Sequence, residues 1–122
     1  MTPRPKDSAP STPLSPATFH VLLALAGEDL HGYAILKEVG RRTAGEVSLS
    51  TGTLYGILKR LLADGLIVER RARASAPEDD ERRRYYRLTA RGREAAATEA
   101  ERLDRLVTEA RERRLLGRLR PA

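Results

Sequence analysis

The chain contains no cysteine, no tryptophan, one phenylalanine (Phe19) and one methionine. Without cysteine it can form no disulfide, no thiolate metal site and no thiol redox sensor. Its longest apolar run, Val21–Ala26, falls far short of the ~20 residues needed to cross a bilayer. Histidine is nearly as scarce. His20 and His31 stand apart with no metal-ligand spacing. His20 lies on an apolar stretch where packing is commoner than ligation, and His31 sits where a second helix should start. No nucleophile elbow, P-loop or glycine-rich phosphate loop occurs. The expectation is no enzyme, no catalytic or metal-ligating residue and no cofactor. The N-terminus carries Pro, Ser, Thr and a few charges and has no apolar signal core. A soluble, cytoplasmic protein working at the nucleoid is expected, with no membrane partner.

Positive charge is what the chain has in excess. Lys and Arg number 23 against 17 acidic residues, a formal charge of +6 over 122 residues, and the isoelectric point is about 10.3. Such a balance suits a polyanion, usually nucleic acid and less often a membrane surface. Plain solvation competes with that reading. Twenty of the cations are arginine and three are lysine. Arginine forks onto phosphate and guanine in a way lysine cannot, although an arginine bias also follows from genomic base composition.

One domain is expected at this length. Residues 1–15 form a proline-rich tail expected to be disordered, whose Arg4 and Lys6 either brush a nucleic-acid backbone or do nothing. Residues 16–88 should form the folded domain. Pro16 opens a first helix, capped by Ser15 and running to about Ala26. A second spans about His31–Thr43 on the apolar set Ala34, Ile35, Leu36 and Val39. A third is the cleanest: Leu54, Ile57, Leu58, Leu61 and Leu62 recur at helical spacing, Ser48 or Ser50 can cap it, and Gly65 ends it. Two strands, Leu66–Arg71 and Arg83–Leu88, flank the polar loop 72–82 as a hairpin with a long tip. Residues 89–116 form a proline-free helix capped by Thr89, and 117–122 a flexible tail. Along that helix Ala96, Ala100, Leu103, Val107 and Ala110 step as a narrow heptad seam. Pairing with its twin in a two-fold homodimer is the simplest use of such a seam; folding back on its own domain is the competitor. The fold class is mainly α with a small β-hairpin: a winged helix-turn-helix plus a long C-terminal dimerisation helix.

In that arrangement the third helix presents Gly52, Gly56 and Lys59 opposite its apolar stripe, with Thr53, Tyr55 and Arg60 on the flanks. Glycine inside a helix costs about 0.8–1 kcal/mol against alanine. Close backbone approach to a DNA groove or to a partner helix would justify it, and Lys59 and Arg60 favour DNA. Ser50, Thr51 and Thr53 lie at the helix N-terminus, where hydroxyls and free amides can hold a phosphate; for Ser50, capping is the stronger reading. Tyr55 is either a contact or a half-buried spacer. On the second helix Tyr33 and Lys37 share a face that could grip the backbone beside the groove, with core packing a rival role for Tyr33. Arg70, Arg71 and Arg73 leave one strand and Arg82, Arg83 and Arg84 enter the next. They give a dense basic patch that Glu78–Glu81 would partly cancel.

Four blocks carry a family resemblance: His31–Ile35 (HGYAI), Leu49–Tyr55 (LSTGTLY), Leu61–Ile67 (LLADGLI) and Arg83–Gly92 (RRYYRLTARG). In this order, over about residues 17–105, they resemble PadR-family transcriptional regulators, in the compact subfamily with a single short C-terminal helix. The resemblance implies a homodimeric winged-helix repressor of its own promoter and of a neighbouring transporter or stress gene. It implies that the helix holding Thr51–Arg60 enters the major groove of double-stranded DNA while wing arginines contact flanking DNA. It also implies C-terminal helices that build the dimer and help frame a pocket for a small-molecule effector. Some compact members bind flat aromatic drugs between tryptophans, which this chain lacks. The other expectation, compatible with Gly52, Gly56 and the acidic wing tip, is a winged-helix protein–protein interaction module that binds no DNA.

Overall fold

A computed structural model describes residues 13–71 and 84–117. The elements run α1 (Pro16–Gly27), β1 (Leu30–His31), α2 (Gly32–Arg42), α3 (Thr51–Ala63), β2 (Ile67–Arg71), β3 (Arg84–Leu88) and α4 (Ala90–Glu112). Local chemistry sets most of these ends. The Ser15, Ser50 and Thr89 hydroxyls accept from the amides three residues on (Thr18, Thr53 and Gly92), so α1, α3 and α4 each begin on a side-chain cap. Gly65 stops α3 in the left-handed region, φ 74°, and the chain turns straight into β2.

One core holds the elements together. Val21, Leu22 and Leu25 of α1 meet Ile35 and Val39 of α2 and Leu54, Leu58 and Leu61 of α3. Leu66, Ile67, Tyr86 and Leu88 close it from the sheet side. Val21, Leu22, Ile35 and Leu54 are wholly excluded from solvent. The loop from α2 to α3 is tied down by Thr43, whose hydroxyl bonds the Val39 carbonyl at 2.8 Å and accepts the Val47 amide at 3.1 Å.

The structure adds to these expectations at three points. The hairpin is part of a three-stranded antiparallel sheet, order β1-β3-β2, because Leu30 and His31 add an edge opposite Tyr86 and Tyr85. His31 therefore belongs to a strand and caps α2 through Nδ1, which accepts the Ala34 amide at 3.2 Å. The C-terminal helix ends at Glu112, four residues earlier than expected. There Arg114 turns left-handed, φ 63°, and the Leu115 amide bonds back to the Ala110 carbonyl at 2.8 Å. Finally, α4 lies on α1, which brings Ala95, buried, and Ala96, partly buried, against this chain's own core.

Candidate nucleic-acid interface

The α3 stripe buries Leu54, Leu58 and Leu61 and thereby turns the other side of the helix outward. Thr51, Gly52, Thr53, Tyr55, Gly56, Lys59 and Arg60 are all exposed. At Gly52 and Gly56 a Cβ would meet nothing within 4 Å. Among the described residues, no packing therefore calls for glycine at either place. Among the described residues Lys59 and Arg60 have no carboxylate partner. Ser50 is committed to the cap: its hydroxyl accepts the Thr53 amide at 3.1 Å and donates to the Thr53 hydroxyl at 2.9 Å.

Beside this face lies the first turn of α2. Tyr33 is 62% exposed, which removes it from the core. The Lys37 ammonium stands 5.4 Å from the Tyr33 ring centroid, a cation–π pair that holds both side chains on one outer face. Tyr55 reaches back from α3 and rests its hydroxyl against Gly32. It thus serves as a spacer between the two helices while half its surface stays open. On the other flank an open groove of about 450 Å³ is lined by Thr18, Gly56, Ile57 and Arg60, so the α3 face continues onto the start of α1.

On the hairpin, Arg70 and Arg84 of the basic patch are paired with carboxylates. Asp29, in the turn before β1, accepts from Arg70 at 2.8 Å and from Arg87 at 3.0 Å. One carboxylate thereby straps β2 and β3 to the start of β1. Arg84 pairs with Glu69 at 2.9 Å and remains mostly exposed. Arg82, Arg83, Arg73 and the acidic tip Glu78–Glu81 lie outside the described residues. Asp29 carries no local sequence signal: Leu30 pairs with Tyr86, so only the β1–β3 register brings its neighbours Asp29 and Arg87 together.

Along α4 the seam residues separate into two groups. Ala96 packs inward, Ala100 is exposed, Leu103 and Ala110 are half-buried, and Val107 is exposed. Leu106, absent from the expected seam, is 49% exposed beside Val107. Leu103, Leu106, Val107 and Ala110 thus form an i, i+3, i+4, i+7 stripe past the end of this chain's core. The inward register also carries a surprise. Glu99, only 4% exposed, accepts the Leu14 amide at 3.1 Å and is gripped by the Arg102 guanidinium. The Arg102 hydrogen bond, helped by the Leu14 amide, holds its carboxyl below the usual glutamate range although burial works the other way.

Three packed helices, the third turned outward and followed by a β-hairpin, define a winged helix-turn-helix protein of the transcription-regulator class. The PadR-like transcriptional regulator family model matches residues 21–98, more than half of the chain. This chain belongs to the PadR-like family of transcriptional regulators. It is 36% identical over 90 residues to the transcriptional regulator Rv3488 of Mycobacterium tuberculosis, covering 74% of this chain and 78% of that one. A PadR family transcription regulator of Clostridium difficile R20291 superposes with a TM-score of 0.66 at 25% identity, over 78% of this chain and 94% of that one. A PadR-like regulator of Bacillus cereus shares the fold at the same TM-score of 0.66 and 22% identity, over 84% of this chain and 93% of that one. No helix among the described residues is long and apolar enough to cross a membrane.

Proposed function

We propose that the protein is a homodimeric, sequence-specific repressor that binds double-stranded promoter DNA through α3 and is released by a small molecule or a stress signal. The observation that carries the reading is the outward face of α3. It combines two glycines that no contact among the described residues requires with two cations that no carboxylate among them neutralises. A groove wall can approach such a surface closely, and its phosphates supply the missing counter-charge. Thr51, Thr53 and Tyr55 then face base edges or sugar-phosphate, while Tyr33 and Lys37 grip the backbone alongside. On the wing, Arg84 is the described candidate, with Arg82 and Arg83 next to it in sequence.

The dimer is supported by the α4 stripe beyond the core. Leu103, Leu106, Val107 and Ala110 lie past the residues that α4 spends on its own core, so a second copy can use them without competition. Two-fold pairing there would present two α3 helices to half-sites about one helical turn, ~34 Å, apart. Release by an effector rests on family membership alone.

The test is fluorescence polarisation with the duplex upstream of the protein's own gene, against excess non-specific competitor, over a salt series. Saturable binding that survives competitor, weakens steeply with salt and has two protomers per site is the expected result. A protein that ignores this duplex at low salt, or is monomeric at working concentration, overturns the reading and leaves the interaction-module alternative.

A further inference from the structure

α3 and α4 meet at a joint centred on Thr89. The chain leaves α3 through Gly65, whose positive φ reverses its direction, and Leu66 follows with its amide bonded to the Leu61 carbonyl at 2.9 Å. Thr89 then returns from β3 to the same point. Its amide donates to the Leu66 carbonyl at 3.0 Å and its hydroxyl donates to the Gly65 carbonyl at 2.8 Å. The same hydroxyl accepts the Gly92 amide at 3.0 Å as the cap of α4. Gly92 completes the closure: any Cβ there would run into the Leu66 carbonyl oxygen, and would lie 2.7 Å from Leu88 Cδ1. The last residues after α3 and the first turn of α4 are therefore in backbone contact, bridged by one hydroxyl that donates to one helix exit and accepts from the other helix entry.

We infer that Thr89 is a positioning residue that fixes the angle between the DNA-reading helix and the dimer helix, and through it the half-site spacing the dimer accepts. The inference rests on the dimeric DNA-binding reading above. Lever lengths show why the joint matters. α3 has 13 residues, about 20 Å at ~1.5 Å per residue. About 10° of slack at its C-terminal end moves its N-terminus by ~3.5 Å, roughly one base-pair step of ~3.4 Å. Two loose protomers would double that error. Capping alone asks only for an acceptor at position 89; the bond to Gly65 asks for a donor as well.

That difference separates the joint from an ordinary cap. Thr89→Ser and Thr89→Asn keep an acceptor and a donor. Thr89→Asp keeps the cap, being among the best N-cap residues, but its carboxylate has no proton to give the Gly65 carbonyl. The full chain has no cysteine, so Thr51→Cys at the far end of α3 places a single spin label on each protomer. Pulsed dipolar spectroscopy of the DNA-free dimer should give one narrow inter-protomer distance peak for Thr89, Ser and Asn. For Asp the peak should be about twice as wide at unchanged helix content. Thr89→Val, lacking both functions, should broaden at least as much. An Asp variant as narrow as the parent overturns the joint while leaving the dimer intact. A parent with no inter-protomer coupling removes the dimer and this inference together.

A second readout uses the unlabelled proteins on duplexes whose half-sites, selected from a randomised library, are moved apart in single base-pair steps. The parent, Ser and Asn should lose about tenfold in affinity one step from the optimum, and Asp less than about threefold. Equal spacing profiles for Asp and Asn overturn the claim even if every variant binds DNA.

Discussion

Tyr55 and Gly32 share one space: a Cβ on Gly32 would stand 2.6 Å from the Tyr55 hydroxyl oxygen and 3.1 Å from Cζ. The contact joins the first turn of α2 to the outward half of α3. Gly32→Ala forces a move, and the element free to move is the half-exposed phenol, not the helix backbone. Ala is also the better helix former at this position. The melting temperature should therefore change by no more than the equivalent of about 1 kcal/mol, while the displaced ring lowers duplex affinity. Thermal melting beside polarisation checks this. Equal affinity with an intact fold would mean that the position of Tyr55 is irrelevant to binding.

Gly56→Ala should separate stability from function in the opposite sense. The added methyl meets nothing within 4 Å among the described residues, so the fold should gain about 0.8–1 kcal/mol from the better helix former. If a groove wall approaches this face, the same methyl must weaken binding. Urea denaturation and polarisation on one preparation read both signs. A variant that is more stable and binds equally well would move the DNA contact elsewhere on α3.

The α3 helix is legible in its residues because everything that defines it is local. Its apolar stripe, the Ser50 cap and the Gly65 stop all lie within a few residues of one another, and the bare outward face follows from turning the same stripe. The β1 edge is not legible that way. Two residues make no periodicity, and Leu30 and His31 become a strand only because Tyr86 and Tyr85 arrive from far along the chain. The strap from Asp29 to Arg70 and Arg87 depends on that same register. Ala96 fits a partner-facing seam by spacing yet covers this chain's own core, because a heptad pattern cannot say which neighbour it faces. Nothing in the local sequence marks Glu99 as buried. Its burial depends on the Leu14 amide, 85 residues away in sequence.

Lys59 and Arg60 test the electrostatic half of the reading. Removing one phosphate interaction should reduce the slope of log affinity against log salt by about 0.9. Lys59→Ala with Arg60→Ala should then flatten the slope by about one to two units and weaken all duplexes together. Stability should change little, because both side chains are exposed. A slope equal to that of the parent would show that neither cation meets a phosphate.

Glu99 gives the fold an acid-sensitive tie between α4 and the segment that enters α1. Its carboxylate is stabilised first by the Arg102 guanidinium and then by the Leu14 amide, which lowers its pKa from the usual glutamate value of 4.5. A carboxyl whose pKa is lower folded than unfolded adds stability above the unfolded value and loses it as pH falls through the folded one. The contribution of Glu99 should therefore be fully present at neutral pH and fade below about pH 4.5, as the unfolded chain takes up the proton first. Glu38, whose carboxyl is lowered by Arg42 and Arg41 on α2, titrates in the same direction. Glu99→Gln should thus remove part, not all, of the acid dependence. Denaturant midpoints measured from about pH 6 down to about pH 3 should fall less steeply in the variant, which starts from a lower stability at neutral pH. Because Gln can still accept the Leu14 amide, the difference isolates the charge on Glu99 facing Arg102. Parallel pH profiles for the two proteins would mean that the carboxylate is equally favoured in the unfolded chain and that the buried pair ties nothing down.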